Sequence, residues 1–341
     1  MPTSNNNSPI MTHPFPKSTS LIEKCTRLRE IVTFEDTLGV MINADPDSIA
    51  CAIALTRLFW RKVKKTIVYH INTIQRADNL SLIKLLKIEL RHIRHLDKNQ
   101  ITKWAILDSQ PGHDQAFSKI PFDIIIDHHP VNRQSRARFM DIREDYGACS
   151  TIMTEYLRAL KIKPSPRLAT ALFYGIKTDT DNFARPSLPN DINAFQYLYE
   201  MTNLHIVKKI EFSELSKKTL PGFRKAMENI VFVRDIAFIH MDNVNNPDIL
   251  VMVADFFLKM AEVSWCIVSG VYVHKLIVIL RNAGFRRDAG KMAEKAFSQW
   301  GSAGGHQSAA RAEIPLKNIE SELVNKTDLK QFVIKRIKEM R

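Results

Sequence analysis

The sequence is short of cysteine, of glycine and of long apolar runs, and each shortage removes a class of protein. Its four cysteines, Cys25, Cys51, Cys149 and Cys266, lie far apart, show no C-x-x-C spacing and sit in apolar or helical surroundings. This excludes a disulfide scaffold and a cysteine-ligated zinc site, and predicts reduced, structural thiols. Only 11 glycines and 15 prolines occur in 341 residues, too few for a fibrous or low-complexity chain. No apolar run approaches the ~20 residues of a membrane-spanning helix. The opening MPTSNNNSPIMTHPFPKSTS has no continuous apolar stretch that would make a secretory signal. The expectation is a cytosolic protein that does not engage a membrane. Acidic residues are also in deficit, 36 against 49 Lys and Arg, which gives a formal charge of 49 − 36 = +13. Summed positive potential favours an anionic partner, although the basic residues are spread along the chain. Their modest concentration in KTDLKQFVIKRIKEMR reads as a solvated basic tail over 326–341.

What is present is strand–helix alternation. Residues 1–20 are polar, lack periodicity and read as a flexible tail. TLGVMIN, TIVYHI, KWAILD and FDIIID then read as strands. DSIACAIALTRLFWRK is a helix apolar almost all round, and NLSLIKLLKI is a helix with Asp78 as its candidate cap. Continuous apolar strands separated by helices imply a parallel sheet covered on both faces, joined by right-handed crossovers. Three helices follow, CSTIMTEYLRAL, RLATALFYGIKT and INAFQYLYEM, and the strand signal lapses until about Val231. The length suits two domains. The expected fold is α/β: an N-terminal parallel-sheet domain over 21–203, a helical linker over 204–225 broken at Pro221-Gly222, and a smaller C-terminal α/β domain over 226–325. Trp60, Trp104, Trp265 and Trp300 fall inside apolar patterns and read as core.

Acidic residues recur at strand C-termini: Asp45 and Asp47 after the first, Asp108 ending KWAILD, Asp127 ending FDIIID. In a parallel sheet those ends open on one edge, where ligands bind. A single such residue is more often a helix N-cap, and Asp47 is placed to cap its helix. Four carboxylates converging would repel one another unless cations neutralise them. His128 and His129 directly follow Asp127, and neither capping nor turn chemistry calls for two histidines there. A mixed Asp/His shell points to a transition metal.

NADPDSIACAIAL, LDSQPG, IIIDHHP and YGIKTDTDNF resemble, in order and spacing, the four signature motifs of the DHH phosphoesterases, which include RecJ exonucleases, nanoRNA-degrading enzymes and 3′-phosphoadenosine-5′-phosphate phosphatases. GSAGGHQSAARAEI resembles the Gly-Gly-His motif of their associated substrate-binding domain. The resemblance spans roughly residues 35–315. It implies a metal-bearing catalytic domain with two divalent cations, Mn foremost, bridged by Asp108, with Asp45 on the first and Asp47, His128 and Asp179 on the second. Such a pair, ~3.5–4 Å apart, makes hydroxide from bound water and holds phosphoryl oxygens during in-line attack. Asp127 and His129 join Asp108 and His128 in the catalytic set, His129 also contacting phosphate. Arg281, Gly304, Gly305 and His306 of the second domain, and Arg76 and Asn79 of the segment IQRADN, become candidate substrate contacts, with catalysis in a cleft between the domains. Asp181 is expected to support or cap rather than ligate, and Arg311 stands where many relatives have a small residue.

One position departs from the pattern. Many members carry a histidine four residues before the first aspartate, and Met41 stands there, with Asn43 where RecJ-like members use an acidic residue. A thioether is a poor ligand for such ions, so the first metal position is weaker or more open. The implied substrates are di- to pentaribonucleotides, linear dinucleotides or 3′-phosphoadenosine-5′-phosphate, with a homodimer compatible. The competing reading is a nucleotide-binding regulatory protein with little turnover. An inorganic pyrophosphatase is disfavoured, because that branch lacks the Gly-Gly-His element.

Overall fold

The computed structural model describes residues 9–184, 188–213, 217–283, 287–322 and 328–340. Residues 1–8 of the expected tail, 214–216 of the expected linker, and 323–327, which join the expected C-terminal domain to the expected basic tail, lie outside them. Two units divide the chain, Met1–Glu214 and Leu215–Arg341.

In the first unit the elements are α1 (Leu21–Glu30), β1 (Thr37–Ile42), α2 (Pro46–Leu58), β2 (Lys65–His70), α3 (Ala77–Leu85), β3 (Arg91–His92), β4 (Lys103–Leu107), β5 (Ile124–Asp127), β6 (Phe139–Ile142), α4 (Cys149–Ala159), α5 (Pro166–Asp179), α6 (Pro189–Tyr199) and α7 (Leu204–Glu211). The strands form one parallel sheet in the order β3-β2-β1-β4-β5-β6. From β1 the chain works outward to β3, then crosses back to place β4 on the other side of β1. The strand order therefore reverses between β1 and β4, the place where open α/β sheets leave a crevice at their C-terminal edge. Alternate β1 side chains separate to the two faces: Leu38, Val40 and Ile42 join a core with α2, α4 and α5, while Met41 joins Ile67, Tyr69, Trp104 and Ile106 on the other. The short strands β3 and β6 are missing from the sequence reading. β3 has two residues, and β6, FMDI, carries an acidic residue inside its apolar run.

The polar opening segment is docked from Met11 onward, which corrects the flexible-tail expectation for those residues. Met11 bridges Ala137, Phe15 is buried edge-to-face on Phe139 with ring centroids 5.1 Å apart, and Ser20 caps α1. Its two apolar side chains are too widely spaced to give a periodic signal. The buried Lys24 of α1 is held 2.7 Å from the buried Asp141. Capping differs too. Arg76 occupies the N-cap position of α3 and Asp78 lies inside its first turn.

The second unit contains α8 (Leu220–Asn229), β7 (Val231–Val233), β8 (Ile236–Asn243), α9 (Asp248–Phe257), β9 (Trp265–Tyr272), β10 (Lys275–Asn282), α10 (Ala289–Phe297), β11 (Ser302–Gly305), β12 (Ala309–Pro315) and α11 (Leu329–Glu339). Its sheet runs β11-β12-β10-β9-β8-β7, antiparallel except for the β8–β9 pair. Pro221 lies in the first turn of α8, where proline is tolerated, so Pro221-Gly222 opens a helix instead of breaking one. NIVFVRDIAFIH is two strands, turned at Arg234 with φ +56.

The basic tail is also corrected. In α11, Phe332, Val333, Ile334 and Ile337 are buried against Trp300 and Phe297, and the lysines occupy the other face. Phe332 meets the Trp300 ring at 5.3 Å. Phe332→Ala is therefore expected to lower unfolding stability by about 3 kcal/mol, read from the denaturant midpoint. A solvated tail would show no change.

Candidate metal centre

The first turn after β1 sends its two aspartates different ways. Asp45, not Asp47, is the N-cap of α2: its Oδ1 accepts the Ser48 amide at 2.8 Å, and Ser48 Oγ accepts the Asp45 amide at 3.0 Å. Asp47 is then inside the helix, buried and turned toward the sheet edge. Its carboxylate receives the Cys149 amide at 2.7 Å and the Ser150 amide at 2.8 Å, the exposed donors at the start of α4. α5 closes over it at Gly175, where a Cβ would stand 2.6 Å from Ser150 Oγ and 3.1 Å from Asp47 Oδ1. Only glycine allows that approach.

Asp108, at the end of β4, has φ +55, the left-handed region that an aspartate enters rarely and at a cost. That turn carries it to the crevice beside Asp47. His128 follows β5, and its Nδ1 lies 3.0 Å from the Tyr146 carbonyl, so this nitrogen donates and Nε2 faces the carboxylates. Asp179 ends α5. The result is one group, Asp47, Asp108, His128 and Asp179, whose ligand atoms all lie within 4.8 Å of one another. His128 Nε2 is 3.2 Å from Asp108 Oδ1 and 2.9 Å from Asp179 Oδ2. Nevertheless, Asp108 Oδ1 and His128 Nε2 are buried and aligned for no hydrogen bond. With the ring proton on Nδ1, His128 Nε2 and Asp108 Oδ1 both present lone pairs, and two such atoms converging on a point without bonding one another fit a shared cation better than a mutual ion pair.

The electrostatics agree. Burial and the Asp179 charge push Asp47 up to about 7. Burial, with Asp47 and Asp45 nearby, holds Asp108 well above the carboxylate range. Asp45, too, is raised by burial and by Asp179. Burial alone would lower His128, but Asp108 and Asp179 outweigh it and raise it, so that its proton supplies the positive charge the carboxylates need. Asp45 is within electrostatic reach but outside the group of four, its Oδ1 committed to Ser48. Met41 is fully buried on the other face of β1, which leaves it no route to a cation.

Asp127 and His129 form a second arrangement. The exposed His129 donates from Nδ1 to Asp127 Oδ1 at 2.8 Å, and this bond keeps its pKa raised. Two residues absent from the sequence reading support the pair. His113 stands edge-on to His129 with ring centroids 5.6 Å apart. Gln110, fully buried, donates to Asp127 Oδ2 at 2.6 Å and to the Pro130 carbonyl at 3.0 Å, and accepts the Asn132 amide at 2.7 Å. Its place in LDSQPG, two residues after Asp108, was the available signal.

The remaining candidates are placed as follows. Arg76 is exposed and holds Asp78, 2.7 Å away, and the Asn79 Oδ1 beside it is buried without a hydrogen-bond partner among the described residues. Both follow β2 on the same sheet edge. Arg281, in the second unit, pairs with Asp255 at 2.6 Å, and Arg311 pairs with Glu313 at 2.8 Å. Gly305 has φ +153, and a Cβ there would meet the Ala309 carbonyl at 2.3 Å, whereas a Cβ on Gly304 would touch only Glu294 at 3.6 Å. His306 is exposed, and its carbonyl accepts the Gly290 amide at the start of α10. Asp181 is an exposed turn residue with φ +50.

Residues 38–176 match the DHH family, N-terminal domain. The first unit is a DHH-family domain. An uncharacterized protein of Methanocaldococcus jannaschii is 37% identical over 81% of this chain, which spans 57% of that relative's length. An exopolyphosphatase-related protein from Bacteroides fragilis shares the fold along 95% of this chain and 98% of its own, with a TM-score of 0.72 at 15% identity. A RecJ from Thermus thermophilus, crystallised with Mn²⁺, does so along 98% of this chain and 56% of its own, with a TM-score of 0.54 at 11% identity.

Two outcomes are expected. Removing Gln110 leaves Asp127 Oδ2, the Pro130 carbonyl and the Asn132 amide unmet at about 1–3 kcal/mol each. Gln110→Leu should therefore lose several kcal/mol of unfolding stability, while Gln115→Leu on the exposed loop stays within about 0.5 kcal/mol. The second outcome concerns pH. Raised folded-state values on Asp47, Asp108 and His128 mean that the folded DHH domain binds more protons than the unfolded chain. Its stability should fall as pH rises from about 6.5 toward 8, above the range in which the lowered His70 and His113 act in the opposite sense. Mn²⁺ competes with those protons, so its stabilising shift in Tm should grow over the same range. A shift independent of pH would contradict the cation assignment.

Proposed function

We propose that this chain is a divalent-metal-dependent phosphoesterase that hydrolyses short oligoribonucleotides, linear dinucleotides or 3′-phosphoadenosine-5′-phosphate. The observation that carries the reading is the convergence of Asp47, Asp108, His128 and Asp179 at the reversal point of the DHH sheet, with the buried Asp108 Oδ1 and His128 Nε2 in no hydrogen bond among the described residues. Bound divalent ions supply a hydroxide at neutral pH and neutralise charge on the phosphoryl group. Mn is the proposed metal, two ions the proposed number, and Asp45 the residue that would help hold the first alongside Asp108.

The chain's own groups divide the remaining work. The α4 amides fix the Asp47 carboxylate. The Tyr146 carbonyl fixes the His128 ring, leaving Nε2 for the ion. Asp127 raises the pKa of His129 and so favours its imidazolium, whose exposed ring would present an N–H donor and a positive charge to a phosphate oxygen. The open side of Gly304, with His306 exposed beside it, supports a substrate-holding role for the second unit. Arg281 would have to exchange Asp255 for phosphate in order to contribute. A second reading, nucleotide binding with little turnover, is favoured by Met41 and by the commitment of Asp45 Oδ1 to its helix.

The test is a turnover screen of purified protein over a dinucleotide, a linear cyclic-signal product and 3′-phosphoadenosine-5′-phosphate with Mn²⁺, Mg²⁺, Co²⁺ and Zn²⁺. Monophosphate release with Mn²⁺ is expected. Losing several kcal/mol of transition-state stabilisation, Asp108→Ala should be slower by ~10³-fold or more. Binding without turnover under every metal would favour the second reading.

A further inference from the structure

We infer that the first unit carries a second anion-binding surface, remote from the metal centre, that stacks and holds single-stranded nucleic acid around Trp60. Three of the four tryptophans, Trp104, Trp265 and Trp300, are buried, whereas Trp60 is 60% exposed, against the sequence expectation that all four are core. Hydrophobicity alone leaves that exposure unexplained, because α2 ends at Leu58 with Phe59 already buried beneath it. The indole lies between cations instead. The guanidinium carbon of Arg57 is 5.0 Å from its ring centroid and that of Arg61 is 4.7 Å. Arg61 takes φ +60, a left-handed conformation uncommon for arginine, as the chain turns away from the helix.

Arg61, Lys62, Lys64 and Lys65 follow, all exposed. With Arg57 they make five cations in nine residues, 57–65, none at ion-pair distance from a carboxylate among the described residues. Lys103 on the same sheet edge, by contrast, is paired with Asp123 at 3.7 Å. Cations at a helix C-terminus also answer its dipole, but that interaction fades within the last turn and asks for no exposed indole.

Position argues that this surface is separate from the catalytic one. α2 starts at the metal centre on the C-terminal edge of the sheet and runs back to the N-terminal edge, where β2 begins. Its 13 residues span about 20 Å. A flat aromatic ring among unpaired arginines and lysines suits a partner with flat bases and regularly spaced phosphates: the bases stack on the indole or a guanidinium plane, and the lysines meet the backbone. Folded protein partners would offer carboxylates but no regular alternation of stacking faces with phosphates, and duplex would keep its bases closed.

Trp60 is its own reporter, since the other three tryptophans are buried. Single-stranded oligouridylate of about 15 nucleotides is titrated into the full-length protein in EDTA, so that neither turnover nor the metal centre contributes. Expected are quenching of tryptophan emission, binding that weakens steeply with salt, and about tenfold weaker binding for Trp60→Ala and for the double variant R61A/K62A. Circular dichroism and Mn²⁺-dependent Tm should match wild type in both variants, because every altered side chain is exposed. No binding, binding that leaves emission and Trp60→Ala affinity unchanged, or binding of phosphatidylserine vesicles in place of the oligonucleotide would each overturn the proposal. Failure of turnover on every nucleotide and metal of the screen would overturn the phosphoesterase reading and leave this titration valid.

Discussion

Like charge crowded into a dry crevice is the constraint on which the first unit is built. Asp45, Asp47, Asp108 and Asp179 come together at one edge of the sheet, and burial denies Asp47 and Asp108 the water that would screen their repulsion. Without a compensating cation such a cluster either takes up protons or pushes the fold apart. The DHH domain meets the problem in part. Two amides at the start of α4 face Asp47, and the protonated His128 stands among the rest. Neither removes it, because the buried Asp108 Oδ1 and His128 Nε2 have no hydrogen-bond partner among the described residues. The deficit has the sign and the location of a metal ion.

The rest of the unit serves to hold that unfavourable arrangement in place. Reversal of strand order between β1 and β4 opens the crevice, and Asp108 turns into it at the expense of a left-handed backbone. Gly175 lets α5 lie against Asp47 with nothing between them. Gln110 then ties Asp127 to the following loop, so that the two histidines after β5 diverge: His128 toward the carboxylates, His129 toward solvent. The division of labour between adjacent histidines follows from what each ring's Nδ1 meets, a backbone carbonyl in one case and a buried carboxylate in the other.

How much of this the sequence revealed depended on whether the signal was local. Apolar strands of the first sheet and the acidic ends of three of them are visible as runs of letters, and the ordered motifs raised them to a family resemblance. Roles set by tertiary contact were not visible. Capping was the competing sequence reading of Asp47, beside its expected role as a ligand, but the cap is Asp45, because Ser48 sits where its hydroxyl can reciprocate the bond. Residues 11–20 and α11 looked solvated, since a few apolar side chains among polar ones become core only once another surface meets them. β11 and β12 escaped notice because small residues, SAGG and AARAEIP, carry little strand propensity and owe their pairing to β10. Arg281 stands at the end of a strand as expected, yet Asp255, 26 residues away, is what it holds.

α2 shows why a single element can look purely structural and still serve two chemistries. Its interior is apolar enough to be buried by α4 and α5, so it can carry strong charge only at its ends. The acidic end belongs to the carboxylate cluster and suits the positive pole of the helix; the basic end suits the negative pole. Complementing the dipole accounts for the sign of the charges at each terminus. It does not account for groups left without local partners, and both ends have them: a carboxylate and an imidazole converging on one point at the first, and an indole bracketed by guanidinium groups at the second. Where a fold leaves polar and aromatic groups unsatisfied by itself at two opposite edges, the partner that satisfies them comes from outside the chain, as a metal ion at one edge and, on the reading developed above, as a polyanion at the other.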